Sequence, residues 1–204
     1  MATPVGHYLV ALAITQGLAG STKERKQGVV LAAASLLPDL DLVAGLYVGD
    51  FWAYHRAASH SLTAALAFGL VALLALLLFR ARRPVYAATT LFLVYFSHLA
   101  LDSMMLDSSS KGGIALLWPW LDTRFQTPIP LVPAGRYQLS EVLSLANAAV
   151  VLWEAVVFVP LAALVVTLRQ GDAPWLRAFT WPRKTAWIFA SWFAVAVLAT
   201  LALG

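Results

Sequence analysis

Long apolar runs separated by short polar stretches set the architecture of this chain. Four runs reach or approach the roughly 20 residues that a helix needs to cross a bilayer. They are Ser61–Phe79, Val85–Leu106, Glu141–Leu168 and Thr185–Leu203. Two further runs are irregular. Pro4–Gly20 is short and carries His7 and Gln16, and Val29–Val48 is interrupted by Pro38, Asp39 and Asp41. Proline lacks a backbone donor, so Pro38 should kink or restart its helix. The pattern predicts an all-α integral membrane protein of about six transmembrane helices, the first two short or broken. The N-terminal run lacks the basic leader of a signal peptide and reads as the first helix.

Composition agrees. Of the 204 residues, 61% are hydrophobic and 12% charged, with a mean hydropathy of +0.77. A soluble domain carries about a quarter charged residues. Residues 1–204 therefore read as a single membrane domain. There is no cysteine, so disulfides and thiolate ligands are excluded and any metal must be held by N and O. The net charge of +4 is not read as a nucleic-acid signal, because the basic residues sit in short stretches between apolar runs, where membrane topology accounts for them.

Those charges also orient the chain. Lys23, Arg25 and Lys26 lie in the predicted loop Ser21–Gly28, Arg80, Arg82 and Arg83 in Arg80–Pro84, and Arg169, Arg177, Arg183 and Lys184 in Arg169–Lys184. With six crossings these loops share one side, leaving Arg56, Lys111, Arg124 and Arg136 on the other. The excess of positive charge places the first side in the cytoplasm and both termini outside. Trp118, Trp120, Trp175 and Trp181 read as an interfacial belt.

Against this topology the polar residues fall into one layer. All four histidines of the chain, His7, His55, His60 and His98, accompany Asp39, Asp41 and Asp102 in the outer leaflet or the outer loops. Ionisable side chains in a bilayer are costly and normally face the protein interior, pair or bind something. Structural polar contacts would be scattered in depth, so the shared depth points to a metal site open to the extracytoplasmic face. His98 and Asp102 are spaced i, i+4 and share a helix face. Asp39 and Asp41, at i, i+2, would diverge on a regular helix, and the break at Pro38 lets both turn inward. His55 and His60, at i, i+5, converge only if His55 lies in the loop. Zinc accepts imidazole and carboxylate ligands and, in catalytic sites, keeps a position for water. Bound metal lowers that water's pKa to about 7, and a carboxylate outside the ligand set can act as general base. Asp41 reads as ligand, and Asp39 as base or second-metal ligand. Arg56 is a candidate for substrate binding or a headgroup anchor. Glu154, inside the fifth run, has no role in this scheme; it pairs either with the site or with another helix.

The blocks GH at 6–7, LLPDLD at 36–41, HRAASHSL at 55–62, SHLALD at 97–102 and GIALLWPW at 113–120 occur in an order that resembles the YdjM-type family of inner-membrane metal-dependent hydrolases, also called LexA-binding. The resemblance covers about residues 4–120. It implies that His7, Asp39, Asp41, His55, His60, His98 and Asp102 form the metal and catalytic centre; of the residues at the site, Asp39, Asp41, His55 and Arg56 are the catalytic candidates. More distantly, the order His, Asp, His, HxxxD is similar to the zinc-dependent phospholipase C and P1-nuclease group. With no histidine after residue 98, the downstream ligands of that group are missing, so one or two metals are expected. That analogy makes phosphoester hydrolysis the leading chemistry.

Residues 107–140 are too many for a plain connector. With Pro128, Pro130, Pro133 and the flexible SSSKGG stretch, they read as an outer lid whose Lys111, Arg124 and Arg136 meet phosphate or a lipid headgroup. Residues 141–204 read as a C-terminal helical hairpin. The expectation is a multi-pass inner-membrane hydrolase holding one or two zinc ions, or another divalent first-row metal, and cleaving a phosphoester of a lipid or lipid-linked substrate outside the membrane. The alternatives are a lipid amide or ester hydrolase and a metal or proton transporter. A transporter needs ligands reaching both faces, and the inner half offers little beyond Gln16 and Glu154.

Overall fold

The computed structural model describes residues 2–50, 52–105, 112–128, 132–133, 135, 143–169 and 185–203. Lys111, Pro130, Arg136, Trp175, Arg177, Trp181, Arg183 and Lys184, assigned above to the lid, the belt or the basic side, lie outside them. The described residues form α1 (Pro4–Leu18), α2 (Thr22–Leu31), α3 (Asp41–Tyr47), α4 (Leu62–Leu78), α5 (Pro84–Ser103), α6 (Leu145–Leu168) and α7 (Ala186–Leu203), with short 3-10 turns at Ala32–Leu36, Pro38–Leu40 and Ala58–His60. Among them there is no strand beyond two isolated bridges, Met105 with Val132 and Ile114 with Phe125.

By length and composition, α5 and α6 can each cross a membrane. The segments Thr22–Leu36 and Pro38–Tyr47 qualify as a third span if taken together, bent by 41° at their junction. That bend falls at Pro38, where the missing N–H ends one helical ladder and a 3-10 turn starts the next. α4 and the Ala186–Ala199 part of α7 are shorter apolar helices.

One expectation is overturned. The basic stretch Ser21–Gly28 is not a loop, because α2 begins at Thr22. The cause is local. The Ser21 hydroxyl accepts from the Glu24 N–H at 3.2 Å, and the Glu24 carboxylate reaches back to the Gly20 N–H at 2.7 Å. The Glu24 amide, which the first turn would leave without a partner, and the Gly20 amide just ahead of the cap are thus both satisfied. The polar residues TKERKQ then continue as helix into the apolar run.

Lipid tails are as apolar as leucine, so helices in a bilayer associate through close packing and polar contacts. Two close approaches are made where a side chain is absent. A Cβ on Gly69 would come within 3.0 Å of Phe92 Cβ, joining α4 to α5, and one on Gly28 within 3.0 Å of Thr15 Cβ, joining α2 to α1. α1 packs against both α5 and α6, and the 3-10 turn at Ala32–Leu36 lies against α1 and α5. Ala11, Ala32 and Val94 form the small, fully buried contact between them. Hence the segment preceding Pro38 is fixed beside α5, the helix that carries His98 and Asp102.

Candidate metal centre

Asp39 and Asp41 flank the restart of the chain after Pro38. Asp39 is in the 3-10 turn and Asp41 opens α3, and this irregular backbone aims both carboxylates at histidines. His55 lies in the loop before the next helix. His60 closes the turn just ahead of α4, whose first residues are capped by the Ser61 hydroxyl. His98 and Asp102 face inward from the last turns of α5. His7, His55, His60, His98 and Asp102 are all buried.

Four of these residues converge. His60 Nε2 and His98 Nε2 are 3.1 Å apart. Asp39 Oδ1 lies 3.5 Å from the first and 3.4 Å from the second, and Asp102 Oδ2 lies 3.5 and 3.7 Å from them. A tetrahedral ion with bonds of about 2.0–2.1 Å has ligand-to-ligand edges of roughly 3.3–3.4 Å. The five edges that involve a histidine nitrogen are therefore close to those of a tetrahedral N2O2 ligand set, and all four atoms lie within 4.8 Å of one another.

The protons point the same way. His98 Nδ1 is 2.7 Å from the Ser35 carbonyl oxygen, which only accepts, so Nδ1 carries the proton and Nε2 the lone pair. His60 Nδ1 faces Asp41 Oδ2 at 3.2 Å and Ser59 Oγ at 2.9 Å, while Ser59 donates to the same Asp41 oxygen at 2.6 Å. His60 Nε2 is then also a lone pair when the ring is neutral. Asp39 Oδ1 and Asp102 Oδ2 are buried without hydrogen-bond partners. Four acceptors thus face one point with no donor between them, and buried acceptors in that state are costly. A cation resolves the conflict. In its absence His60 holds a proton: burial lowers its affinity, but Asp102, Asp39 and Asp41 outweigh burial and raise its pKa to about 10. The residues fit a metal ion, and imidazoles oriented through Nδ1–H by a carbonyl and a carboxylate are the usual second layer of such a site.

Asp41 stands one layer back from this group. Its Oδ1 is 2.9 Å from His55 Nδ1 and its Oδ2 meets His60. The sequence favoured Asp41 as ligand, but the convergent oxygen belongs to Asp39. Asp41, His55 and His60 do form a second cluster with ligand atoms close enough for an ion. His55 Nε2 is buried and has no hydrogen-bond partner. Burial holds the His55 pKa below its usual value, with Asp41 opposing the shift.

His7 stands beside the convergence. Its ring stacks on His98 with centroids 3.7 Å apart, and its Nε2 is 3.4 Å from Asp102 Oδ1. That same oxygen accepts the Ala2 N–H at 3.2 Å, which leaves Oδ2 for the four-atom group. Arg56 reaches the site with Nε 3.8 Å from Asp102 Oδ2, from a left-handed backbone at φ 60°. Its carbonyl accepts from Ala115 N–H at 3.1 Å and Arg124 Nη1 at 3.3 Å, so residues of the connection after α5 hold this strained arginine.

Glu154 acquires a place. It sits on α6 with no exposed surface and accepts from Thr3 N–H at 2.6 Å, from the Thr3 hydroxyl and from Gly6 N–H at 3.1 Å. It thereby caps the start of α1, one residue from His7. It belongs to the site end of the bundle, not to the opposite half where the sequence had placed it. No residue pattern marks Ser35, which acts through a backbone carbonyl. Two other residues did leave a signal: Ser59 lies inside HRAASHS, and Tyr95, whose hydroxyl donates to the Ser59 carbonyl at 2.7 Å, is i−3 from His98.

The chain is 30% identical over 148 residues to "Inner membrane protein YbcI" of Escherichia coli (strain K12), covering 69% of this chain and 80% of that one. No solved structure matches it, and the distant likeness to the phospholipase C group gains nothing from these comparisons. The family profile described as YdjM inner membrane protein matches residues 1–203. That match runs well past residue 120, where the resemblance of motifs ends, and takes in α6 and α7. The chain belongs to the YdjM inner membrane protein family.

Proposed function

We propose that the protein is a metal-dependent hydrolase that cleaves a phosphoester of a lipid or lipid-linked substrate at the extracytoplasmic face. The observation that supports this most is the pairing of two neighbouring units. One is the set of four inward acceptors, Asp39, His60, His98 and Asp102. The other is His55, whose Nδ1 is fixed by Asp41 and whose Nε2 is buried with no hydrogen-bond partner. A purely structural metal site would have no use for the second unit.

Zinc is the ion that best suits two imidazoles, two carboxylates and tetrahedral edges. When bound it supplies Lewis acidity and a water acidified to near neutrality. The protein's own groups do the rest. Asp41 holds His55 in the tautomer that leaves Nε2 free to take a proton from the attacking water and return it to the leaving oxygen. Arg56 offers its guanidinium to the oxygens of the phosphoryl group, where planar donors bind two at a time. His7, stacked on His98, keeps that ring in plane.

Six crossings complete the picture: α1, the bent α2–α3 pair, α4, α5, α6 and α7, with the connection after α5 as a lid outside. Glu154 sits at the site end, so among the described residues the opposite half buries Thr15, Gln16, Arg25, Thr90 and Thr167, none of them a carboxylate or an imidazole. Gln16 is engaged with the Arg25 carbonyl at 3.0 Å. A transport path would need more than that, which favours an enzyme.

The test is hydrolysis by purified, zinc-loaded protein of three probes: bis-p-nitrophenyl phosphate, a diacyl phospholipid and an N-acyl lipid. Phosphodiester cleavage that His98→Ala abolishes is the expected result. Cleavage of the acyl probe alone would move the assignment to a deacylase. A comparison of lipids in a deletion strain and a His98→Ala strain then identifies the natural substrate.

A further inference from the structure

At the other end of the bundle lies a cavity of about 670 Å³, between α1, α2, α4 and α5. Pro84, the first residue of α5, is about 21 Å from His98 at 1.5 Å per helical residue, so this cavity is separate from the His/Asp centre. Its rim carries Lys23, Arg82 and Arg83, and Leu31, Leu76 and Ala87 give it an apolar wall. Glu24 is the carboxylate that lines it. That charge is already engaged, since one oxygen accepts from Arg83 Nη1 at 2.6 Å and the other from the Gly20 N–H at 2.7 Å. The Arg83 guanidinium is further held over the Tyr86 ring at 4.8 Å. Among the described residues, neither Lys23 nor Arg82 has a carboxylate partner.

A cavity with a cationic rim and an apolar wall at the end of a membrane bundle has the chemistry of an anionic lipid. Its phosphate would meet Lys23 and Arg82, and its first acyl carbons would follow Leu31 and Ala87. Basic pockets between membrane helices bind phosphorylated headgroups in this way, and arginine matches phosphate oxygens with paired donors. Charges that served only to orient the chain in the membrane would need no cavity behind them.

We propose that Lys23 and Arg82, beside the Arg83–Glu24 pair, form a binding site for a phosphate-bearing anion, supplied by the headgroup of an anionic phospholipid, in the cavity between α1, α2, α4 and α5.

The test is native mass spectrometry of the full chain from micelles holding equal phosphatidylglycerol and phosphatidylcholine. The wild type should retain one phosphatidylglycerol in preference. Lys23→Gln with Arg82→Gln should reduce that retention roughly five- to thirtyfold, at about 1 kcal/mol per basic residue. Ala87→Trp, or Ala87→Leu if the larger residue impairs folding, should reduce it with all charges in place. Millimolar inorganic phosphate should not displace the lipid; displacement would assign the same site to a free anion instead. Metal content and thermal unfolding of each variant confirm its fold. Equal retention of both lipids by the wild type, or unchanged retention in the charge pair or in the Ala87 variant, would overturn the proposal. None of these outcomes depends on hydrolysis at the other end.

Discussion

A Cβ on Gly6 would stand 2.8 Å from both Cδ and Oε2 of Glu154, so the carboxylate that caps α1 occupies the space of a missing side chain. Gly6→Ala should push α1 away from α6 and carry His7 with it. Overpacking of this kind costs about 1–3 kcal/mol. The variant should melt lower and bind metal more weakly. Gly20→Ala, whose Cβ meets nothing closer than 3.4 Å, is the control. Equal melting and equal metal content in the two variants would show that the Gly6 contact positions nothing.

The four-atom convergence predicts which residues retain the ion. Elemental analysis of the purified wild type should find zinc or a similar first-row metal at one or two per chain. His60→Ala, His98→Ala and Asp102→Ala should each lose it. If all three retain a full complement, the ion is held elsewhere.

Asp39 and Asp41 should separate. Asp39→Asn removes a convergent oxygen and should deplete the metal. Asp41→Asn leaves the four atoms in place but loosens His60 and His55. It should weaken metal binding by roughly 10- to 100-fold, as loss of an orienting partner does. At saturating metal it should still be slower by roughly 10²-fold, because His55 loses its fixed tautomer. Identical metal affinities for the two variants would remove the distinction between them.

Metal binding should release a proton. The carboxylates around His60 keep that ring charged through neutral pH. The ion takes its Nε2 lone pair, so each ion bound must expel one proton. Affinity should therefore tighten by about tenfold for each pH unit between pH 6 and 8. An affinity independent of pH would mean that His60 is neutral without metal or takes no part in binding it.

Topology is open to cysteine labelling, and the chain has no native cysteine to interfere. Gly135→Cys should react with an impermeant thiol reagent from outside, and Ala81→Cys should not. The reverse pattern would place the His/Asp centre, and its substrate pool, on the cytoplasmic side.

Much of this was readable from the residues. Apolar runs give the all-helical class because the length of a span is fixed by the bilayer, and the i, i+4 spacing on α5 puts His98 and Asp102 on one side because a regular helix fixes its own faces. Reading failed where the backbone is irregular. Through LLPDLD, neither helix nor strand periodicity says which carboxylate turns inward, and the structure selects Asp39 for the convergence. It failed also where an element acts through its main chain, as the Ser35 carbonyl does on His98. Charge was misleading at Ser21–Gly28, where polar residues resembled a loop but a serine cap and Glu24 made a helix. Glu154 was opaque because its partners, Thr3 and Gly6, are brought to it only by the packing of α1 on α6.

The four convergent atoms come from residues 39, 60, 98 and 102. During biosynthesis the centre therefore has no competent form until α5 has been made and has docked beside the Ala32–Leu36 turn. A nascent chain that stalls before that point holds two carboxylates and three histidines but no complete cage. An ion arriving late would then tie together stretches of chain far apart in sequence, giving a protein without cysteines something close to a removable cross-link.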